Sequence, residues 1–479
     1  MFKSALCLML VLSVTLFADE ANVSVKQEMQ QIIQSLDNGS RAQTLSNDQY
    51  VVALFQQILG KNPTMYEVRS IELLMKGDHC DDKCFVRISR SQLLALLLSK
   101  KEGSLSYASL EKNMRLIRGL NLDVAPLWQP RAEEQELEAA EQRKSFPVQI
   151  HNEEYNVYFG NLHGHTSFSD GEGTPDEAYT MARDEAKLDF FSISDHSEIL
   201  TLWPWDNKWQ KIKDTAAKYN EDGKFVALHG FEWSSPILGH ITVTHANDIT
   251  SCVEEIRVKD MCKWISKHPE LIARFNHPGR DHLGLEFDHF KLRSYAVEQM
   301  VGLEMFSKSK GITKYFFNKG YSGETNYMDE ANKKGWRLGV LGGQDNHDKD
   351  WGMRNDFLVA VWAKELTREG ILDAYRARRT YATEDRNLIL NFRMNNAQMG
   401  STLRSGVKDL EISLSDQDRE NFKRVDVYRM GEIIKTYEVK NSAPKLKLQV
   451  EAQPTEYYYV LATQEDGDLA LSSPIWITE

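Results

Sequence analysis

Cysteine is scarce in this sequence, long apolar runs are missing after the first few residues, and no excess of positive charge is present. Each shortage excludes something. Five cysteines among 479 residues are too few for a disulfide-built scaffold, so an ordinary buried core must hold the chain. Beyond Phe17 no stretch reaches the ~18 uninterrupted apolar residues that a membrane-spanning helix needs. A formal net charge of −12 would repel nucleic acid and anionic lipid at long range, which argues against both as partners. Low-complexity tracts are also missing, and 41% hydrophobic with 27% charged residues is the balance of a globular protein of two or three domains.

What is present begins with a leader. Met1 to Ala18 carry one lysine, an apolar run from Ala5 to Phe17 and a small residue before Asp19-Glu20, the pattern of a secretory signal peptide. Residues 1–18 are read as that peptide, and the chain is expected to be periplasmic or secreted with no membrane span after cleavage. Cys7 lies inside the leader. In an oxidising compartment the spacings of Cys80 with Cys84 and of Cys252 with Cys262 suggest two local disulfides.

The remainder divides by texture. Residues 19–145 are polar with apolar positions at helical spacing, as in Val51, Leu54, Phe55 and Ile58 and again around Leu93 to Leu97. Ser46-Asn47-Asp48 and Gly60 read as a cap and a stop around the first run. The acidic run Arg131 to Glu138 is read as a solvated helix face. Over residues 146–386 short apolar runs alternate with amphipathic helices, which predicts a parallel sheet, closed into a barrel or left open. Residues 387–479 mostly alternate at period two between turn residues, which predicts an antiparallel β-sandwich.

Chemistry is signalled by position. After Val157-Tyr158-Phe159, His163 and His165 stand two apart, so both imidazoles project to one side, and Asp170 beside Gly171 can fold back to them. Asp195-His196, Glu232, His277, and Asp345 with His347 likewise follow predicted strands. In a parallel barrel all strand ends meet at one face, so these groups are expected to converge.

Four ordered motifs also carry a resemblance. Leu162-His163-Gly164-His165-Thr166 with Ser169-Asp170-Gly171, Leu188-Asp189-Phe190 with Ser194-Asp195-His196-Ser197, Asn276-His277-Pro278, and Gly343-Gln344-Asp345-Asn346-His347 resemble those of the PHP (polymerase and histidinol phosphatase) metallohydrolases, and most the secreted branch related to carbaryl hydrolase. The resemblance spans about Tyr155 to Arg386. It implies a distorted (β/α)7 barrel with two or three divalent ions. One would take His163, His165, Glu232 and Asp345, a second would share Glu232 and add His277 with His240 or the nearby His245, and a third would use Asp170, His196 and His347. That donor set suits Zn, Mn or Fe. Asn161 stands where the family more often has Asp, and His229 where proline is more usual.

The expected chemistry is metal-assisted hydrolysis of a small molecule, with hydroxide held between two ions and Asp170, Glu232 and Asp345 as the working carboxylates. Arg280 and Arg354, each beside a ligand loop, are candidate binders of a substrate anion, with Lys308 and Lys310 behind them. Glu304 aligns with the barrel face behind the ligands. Trp203, Trp205 and Trp209 read as packing, and His79, His151, His268, His282 and His289 as surface. Three functions stay open: a phosphoesterase, an ester, amide or carbamate hydrolase, and a non-catalytic metal-containing binding module. The oligomeric state is not specified by the sequence.

Overall fold

The computed structural model describes residues 47–60, 62–63, 68, 71, 93, 97, 155–202, 206–280 and 285–479. The leader 1–18, Cys80 and Cys84, the acidic run 131–138, Trp203, Trp205, His79, His151 and His282 lie outside the described residues. Those described fall into two units, one holding residues 47–97 and the other residues 155–479.

In the first unit the helix Asn47–Leu59 buries Val51, Leu54, Phe55 and Ile58, one face at helical spacing. Gly60, at φ 63°, follows its last residue.

The second unit is mixed α/β, built on one large sheet. Its strands β1 (Asn156–Asn161), β2 (Phe190–Ile193), β3 (Val226–Ser235), β4 (Gly239–Thr244), β5 (Ile272–Phe275), β6 (Met300–Ser307) and β7 (Gly339–Gly343) are neighbours in that order. Every residue of β2 to β7 is buried, as strands covered on both faces must be. β8 (Leu358–Ala363) lies antiparallel on the far side of β1, and β9 (Thr380–Thr383) antiparallel beyond it.

The sheet departs from a regular parallel barrel at β4, which runs antiparallel to both β3 and β5. A parallel crossover needs about a dozen residues. Only Pro236, Ile237 and Leu238 separate β3 from β4, so the chain must reverse, and it does so through Gly239 at φ 85°. At the end where the strands finish, Gly164 beyond β1 and Asn346 beyond β7 form a parallel bridge, with the His165 N–H donating to the Asn346 carbonyl at 2.7 Å. The segments that follow the first and seventh strands therefore meet there.

The C-terminal region is sheet-rich and divides between two sheets. β10 (Leu388–Met394), β11 (Ala397–Gln398), β13 (Gly406–Asp416) and β16 (Lys445–Ala452) make a four-stranded antiparallel sheet. β12 (Thr402–Arg404), β14 (Phe422–Arg429), β15 (Glu432–Asn441), β17 (Tyr457–Gln464), β18 (Leu469–Ser472) and β19 (Ile475–Thr478) belong to the large sheet, which continues from β9 into β18. The set is not wholly antiparallel: Gly400 donates to the Pro474 carbonyl and starts β12 in step with β19. Ser473 Oγ, in the link between β18 and β19, accepts from the Val340 N–H, and Thr380 Oγ of β9 donates to the Val340 carbonyl, so both hold β7.

The expected Cys252–Cys262 disulfide is not formed; both thiols are free and buried. Cys252 lies against the buried carboxylate of Glu198, which accepts its N–H at 2.7 Å. Cys262 projects from the helix Val258–Ile265 toward Arg293 and Asp288. The two sulfurs face different neighbours. Trp209 packs on Phe231, and His268 and His289 stack on Trp264 and Tyr321.

Candidate metal centre

The rim assembled by the strand ends carries the chemistry. His163 and His165 follow directly on β1, which ends at Asn161. Asp170 returns to them through a tight turn in which the Gly171 N–H donates to the Thr166 carbonyl at 3.0 Å. Asp195 holds that turn, accepting from the Thr166 N–H and hydroxyl at 2.7 Å each and from Ser169 Oγ at 2.5 Å. It therefore shapes the loop while its neighbour His196 faces the centre. Glu232 lies within β3, not after it, because that strand runs on to Ser235. His240 opens β4, and since β4 runs backwards its first residues share the rim with the last residues of its parallel neighbours.

Six imidazoles and three carboxylates come together here: His163, His165, His196, His240, His277 and His347 with Asp170, Glu232 and Asp345, all buried. Glu232 is central. Its Oε1 lies 3.3 Å from His163 Nε2, 3.1 Å from His240 Nδ1 and 3.4 Å from His277 Nε2, and its Oε2 lies 3.0 Å from His196 Nδ1 and 3.7 Å from His165 Nε2. Asp345 Oδ1 stands 3.3 Å from His163 Nε2 and 3.1 Å from His165 Nε2. Asp170 Oδ2 stands 3.4 Å from the Nε2 atoms of both His196 and His347.

Two donors bound at ~2.1 Å to one tetrahedral ion stand ~3.4 Å apart, a spacing that the 3.3–3.4 Å separations here match. A second observation agrees. His163 Nε2, both ring nitrogens of His165, Asp170 Oδ2 and His347 Nε2 are buried and make no hydrogen bond. Buried polar atoms are rarely left so, and a cation is what would satisfy lone pairs that face one another. The residues fit divalent metal ions.

The grouping differs in detail from the family scheme. His163, His165 and Glu232 form one set and Asp170, His196 and His347 another, the latter joined by His165. His277 groups with His163 and Asp345, and His196 with Glu232 and His240. Of the two histidines left open by the sequence, His240 is the one beside Glu232. His245 packs instead on His229, ring centroids 5.1 Å apart and planes tilted by 42°. Along β3 His229 points to the opposite face from Glu232, and its Nε2 meets the Ala246 carbonyl at 3.0 Å.

Burial opposes charge on His163, His165, Asp170, Glu232 and Asp345, and the pairings decide the outcome. At His163 the field of Glu304, Asp345 and Glu232 outweighs burial and raises its pKa to about 10. At His165 burial, reinforced by His347 and His196, lowers it to about 3. Against the same burial penalty, His196 and His347 hold Asp170 well below the usual carboxylate range, His240 and His163 do so for Glu232, and Lys308 and His163 for Asp345. Three ionised carboxylates thus face the cage and attract positive charge.

Outer contacts fix the donors. Glu304 Oε1 accepts from His163 Nδ1 at 2.8 Å. Asn276 Nδ2 donates to Glu232 Oε1 at 2.6 Å, and Ser234 Oγ lies 2.5 Å from His196 Nδ1. Asn161 Oδ1 accepts the N–H groups of His163 and Gln344 and so ties the loops after β1 and β7. Sequence reading gave no role to Arg274, Asn276 or Ser234. Ser234 stands two after Glu232, so strand period alone puts it on the same face, and Arg274 is a charge inside an apolar strand. Asp345 and His277 carry positive φ, 45° and 25°, strained conformations of the kind that cluster at functional sites.

Of the candidate anion binders, Arg280 Nη2 lies 2.7 Å from His240 Nε2, at the edge of the cage. Arg354 is committed elsewhere, to Asp348 and Asp350. Lys308 Nζ stands 3.6 Å from Asp345 Oδ2.

Comparison with known proteins adds the following. Residues 313–401 match a family described as a protein of unknown function (DUF3604). An uncharacterized protein of Chlamydia pneumoniae is 26% identical over 362 residues, 67% of this chain and 57% of its own length, and one of Chlamydia trachomatis is 27% identical over 359 residues with the same coverages. The chain thus spans 57% of the length of these relatives. Among solved structures, a two-domain protein from Bacteroides vulgatus containing a predicted PHP-like metal-dependent phosphoesterase aligns with a TM-score of 0.38 at 17% identity, covering 67% of this chain and 94% of that one. A lesion-specific endonuclease from Pyrococcus furiosus aligns at 0.28 and 15% identity, covering 46% and 56%. With likenesses this distant, the cage's own geometry carries the reading.

Proposed function

We propose that this chain is a metal-dependent hydrolase acting on small phosphoesters. The carrying observation is the buried cage of six imidazoles and three carboxylates, in which His163 Nε2, both ring nitrogens of His165, Asp170 Oδ2 and His347 Nε2 face one another and make no hydrogen bond. Cations held there would lower the pKa of bound water from ~15.7 towards ~7 and so supply a nucleophile at neutral pH. In this reading Glu232 holds two sides of the cage through its two oxygens, Asp345 and Asp170 close the others, and no serine or cysteine nucleophile is needed. Arg280 and Lys308 at the edge favour an anionic substrate over a neutral ester or carbamate. The leader pattern of residues 1–18 supports a periplasmic or secreted location.

Three chromogenic substrates test the reaction: p-nitrophenyl phosphate, bis-p-nitrophenyl phosphate and p-nitrophenyl acetate, each with metal-loaded protein. Turnover of either phosphate that is lost in Asp345→Ala supports the proposal. Turnover of the acetate alone would replace it with the ester and carbamate reading. Turnover of none, with partner binding that survives metal removal, would replace it with a binding module.

A further inference from the structure

Arg280 is partly buried and reaches the edge of the cage, its Nη2 2.7 Å from His240. A guanidinium is a fork of several donors, so one such contact leaves others for an anion. A long side chain on a turn has many rotamers, however, and holding this one at the cage needs a fixed base. The dipeptide Glu286-Phe287 supplies it.

Glu286 is fully buried, and its Oε2 accepts the N–H of Gly279, the residue before Arg280, at 2.6 Å and the Tyr321 hydroxyl at 2.7 Å. The Phe287 N–H donates to the Leu238 carbonyl at 2.8 Å, and the Phe287 ring lies where a Cβ on Gly239, the residue before His240, would go. Two adjacent residues thus tie the turn that carries Arg280 to the turn that carries His240.

The backbone is bent hard to do this. Phe287, Asp288, His289 and Phe290 all have positive φ, at 55°, 49°, 51° and 56°, and none of them is a glycine. L-residues visit that region singly, so four in a row are a rare and strained turn. Such strain persists only where the surroundings over-determine it, and it clusters at functional sites. Here the turn is held by the bonds just named and by the Phe287 and Phe290 rings, whose centroids lie 4.7 and 5.4 Å from that of Phe275 at the end of β5.

We propose that Glu286 is a positioning residue for substrate binding: by fixing the Gly279 N–H it sets Arg280 at the edge of the cage, where the guanidinium takes the phosphate of the substrate. This rests on the phosphoesterase reading above. Glu286 itself touches neither the cations nor the substrate, so its loss is felt in anion affinity and not in bound metal.

Calorimetric titration of inorganic phosphate into full-length, metal-loaded protein tests it on wild type, Arg280→Met, Glu286→Leu, Glu286→Gln and the Arg280→Met/Glu286→Leu double variant, with bound metal counted in each. Arg280→Met should weaken phosphate binding about tenfold, the worth of one hydrogen bond to a charged group. Glu286→Leu should weaken it nearly as much with its metal retained, and Glu286→Gln, whose amide oxygen can still accept both donors, should regain most of the affinity. The double variant should bind no worse than Arg280→Met alone, because without the guanidinium Glu286 has nothing to place. Tyr321→Phe serves where Glu286→Leu does not fold: it removes one donor to Glu286 and should weaken phosphate in the wild-type background but not beside Arg280→Met. Losses that add in the double variant, wild-type affinity in Arg280→Met or Glu286→Leu, or metal lost from folded Glu286→Leu overturn the proposal and leave the phosphoesterase reading standing. Metal-loaded wild type that binds no phosphate and turns over neither phosphate ester overturns that reading, and this inference with it.

Discussion

Glu304 and His163 form the hinge of the candidate centre: Oε1 of the buried carboxylate lies 2.8 Å from Nδ1 of the imidazole, which turns Nε2 toward Glu232 and Asp345. The same carboxylate takes Arg274 Nε at 3.1 Å and, through Oε2, the His277 N–H at 3.0 Å. A carboxylate behind a ligand histidine fixes its tautomer and raises its basicity. Glu304→Gln should therefore lower metal affinity about 10- to 100-fold with the fold retained. Competition against a chelator of known affinity measures this; equal affinity in the variant would remove Glu304 from that role.

Metal removal should destabilise the chain. Ions that bind only the folded state stabilise it by mass action, about 4 kcal/mol each at a thousandfold excess over Kd. Dialysis against a chelator is expected to lower the melting temperature reversibly, and His163→Ala or Asp345→Ala should bring bound metal to near zero. A melting curve indifferent to chelator would contradict the site.

Gly343 ends β7 where no side chain fits. A Cβ there would stand 2.4 Å from His163 Cβ and 2.5 Å from Glu304 Oε1. Gly343→Ala must push the pair apart, with a cost of about 1–3 kcal/mol and a loss of metal affinity beyond it. Denaturant unfolding with and without metal separates the two effects, and wild-type values in both would show that the rim yields more freely than its packing implies.

An acidic pocket away from the cage sets a pH dependence. Burial, reinforced by Asp385, raises the pKa of Asp416 from 3.8 to about 7, and burial with Asp466 and Glu384 does the same for Asp468. A carboxyl whose folded pKa is raised holds its proton in the folded state while the unfolded chain has lost it. Stability from these groups therefore falls as pH rises from about 4 to about 7, and levels off above. Asp416→Asn and Asp468→Asn should melt a few degrees higher than wild type at pH 8 and converge with it near pH 4. Parallel curves across that range would refute the shifted titrations.

Much of the metal cage was legible because strand ends in an α/β sheet share an edge. The run at Val157 to Phe159 and the His-Gly-His step after it pointed to two donors on one side, and the expected alternation of helices with strands is present, as in the helices Lys208–Tyr219 and Tyr327–Lys333. The rest depended on things that local pattern does not encode. The reversal at β4 follows from a three-residue link, and only that reversal brings His240 to the rim ahead of His245. Arg274 and the supporting face of Glu304 emerge only when β5 and β6 pair. The spacing of Cys252 and Cys262 suited a disulfide, but spacing says nothing of which way a helix turns its thiol.

The continuation of the sheet from β9 into β18 has a consequence for any attempt to work with the cage-bearing part by itself. Cutting the chain after Arg386 would strip β9 of β18, leaving the backbone groups on that side unpaired, and it would also take away the Ser473 hydroxyl that accepts from Val340. Such a fragment would present a sticky border to its own copies, so the two halves are expected to travel through expression and evolution together.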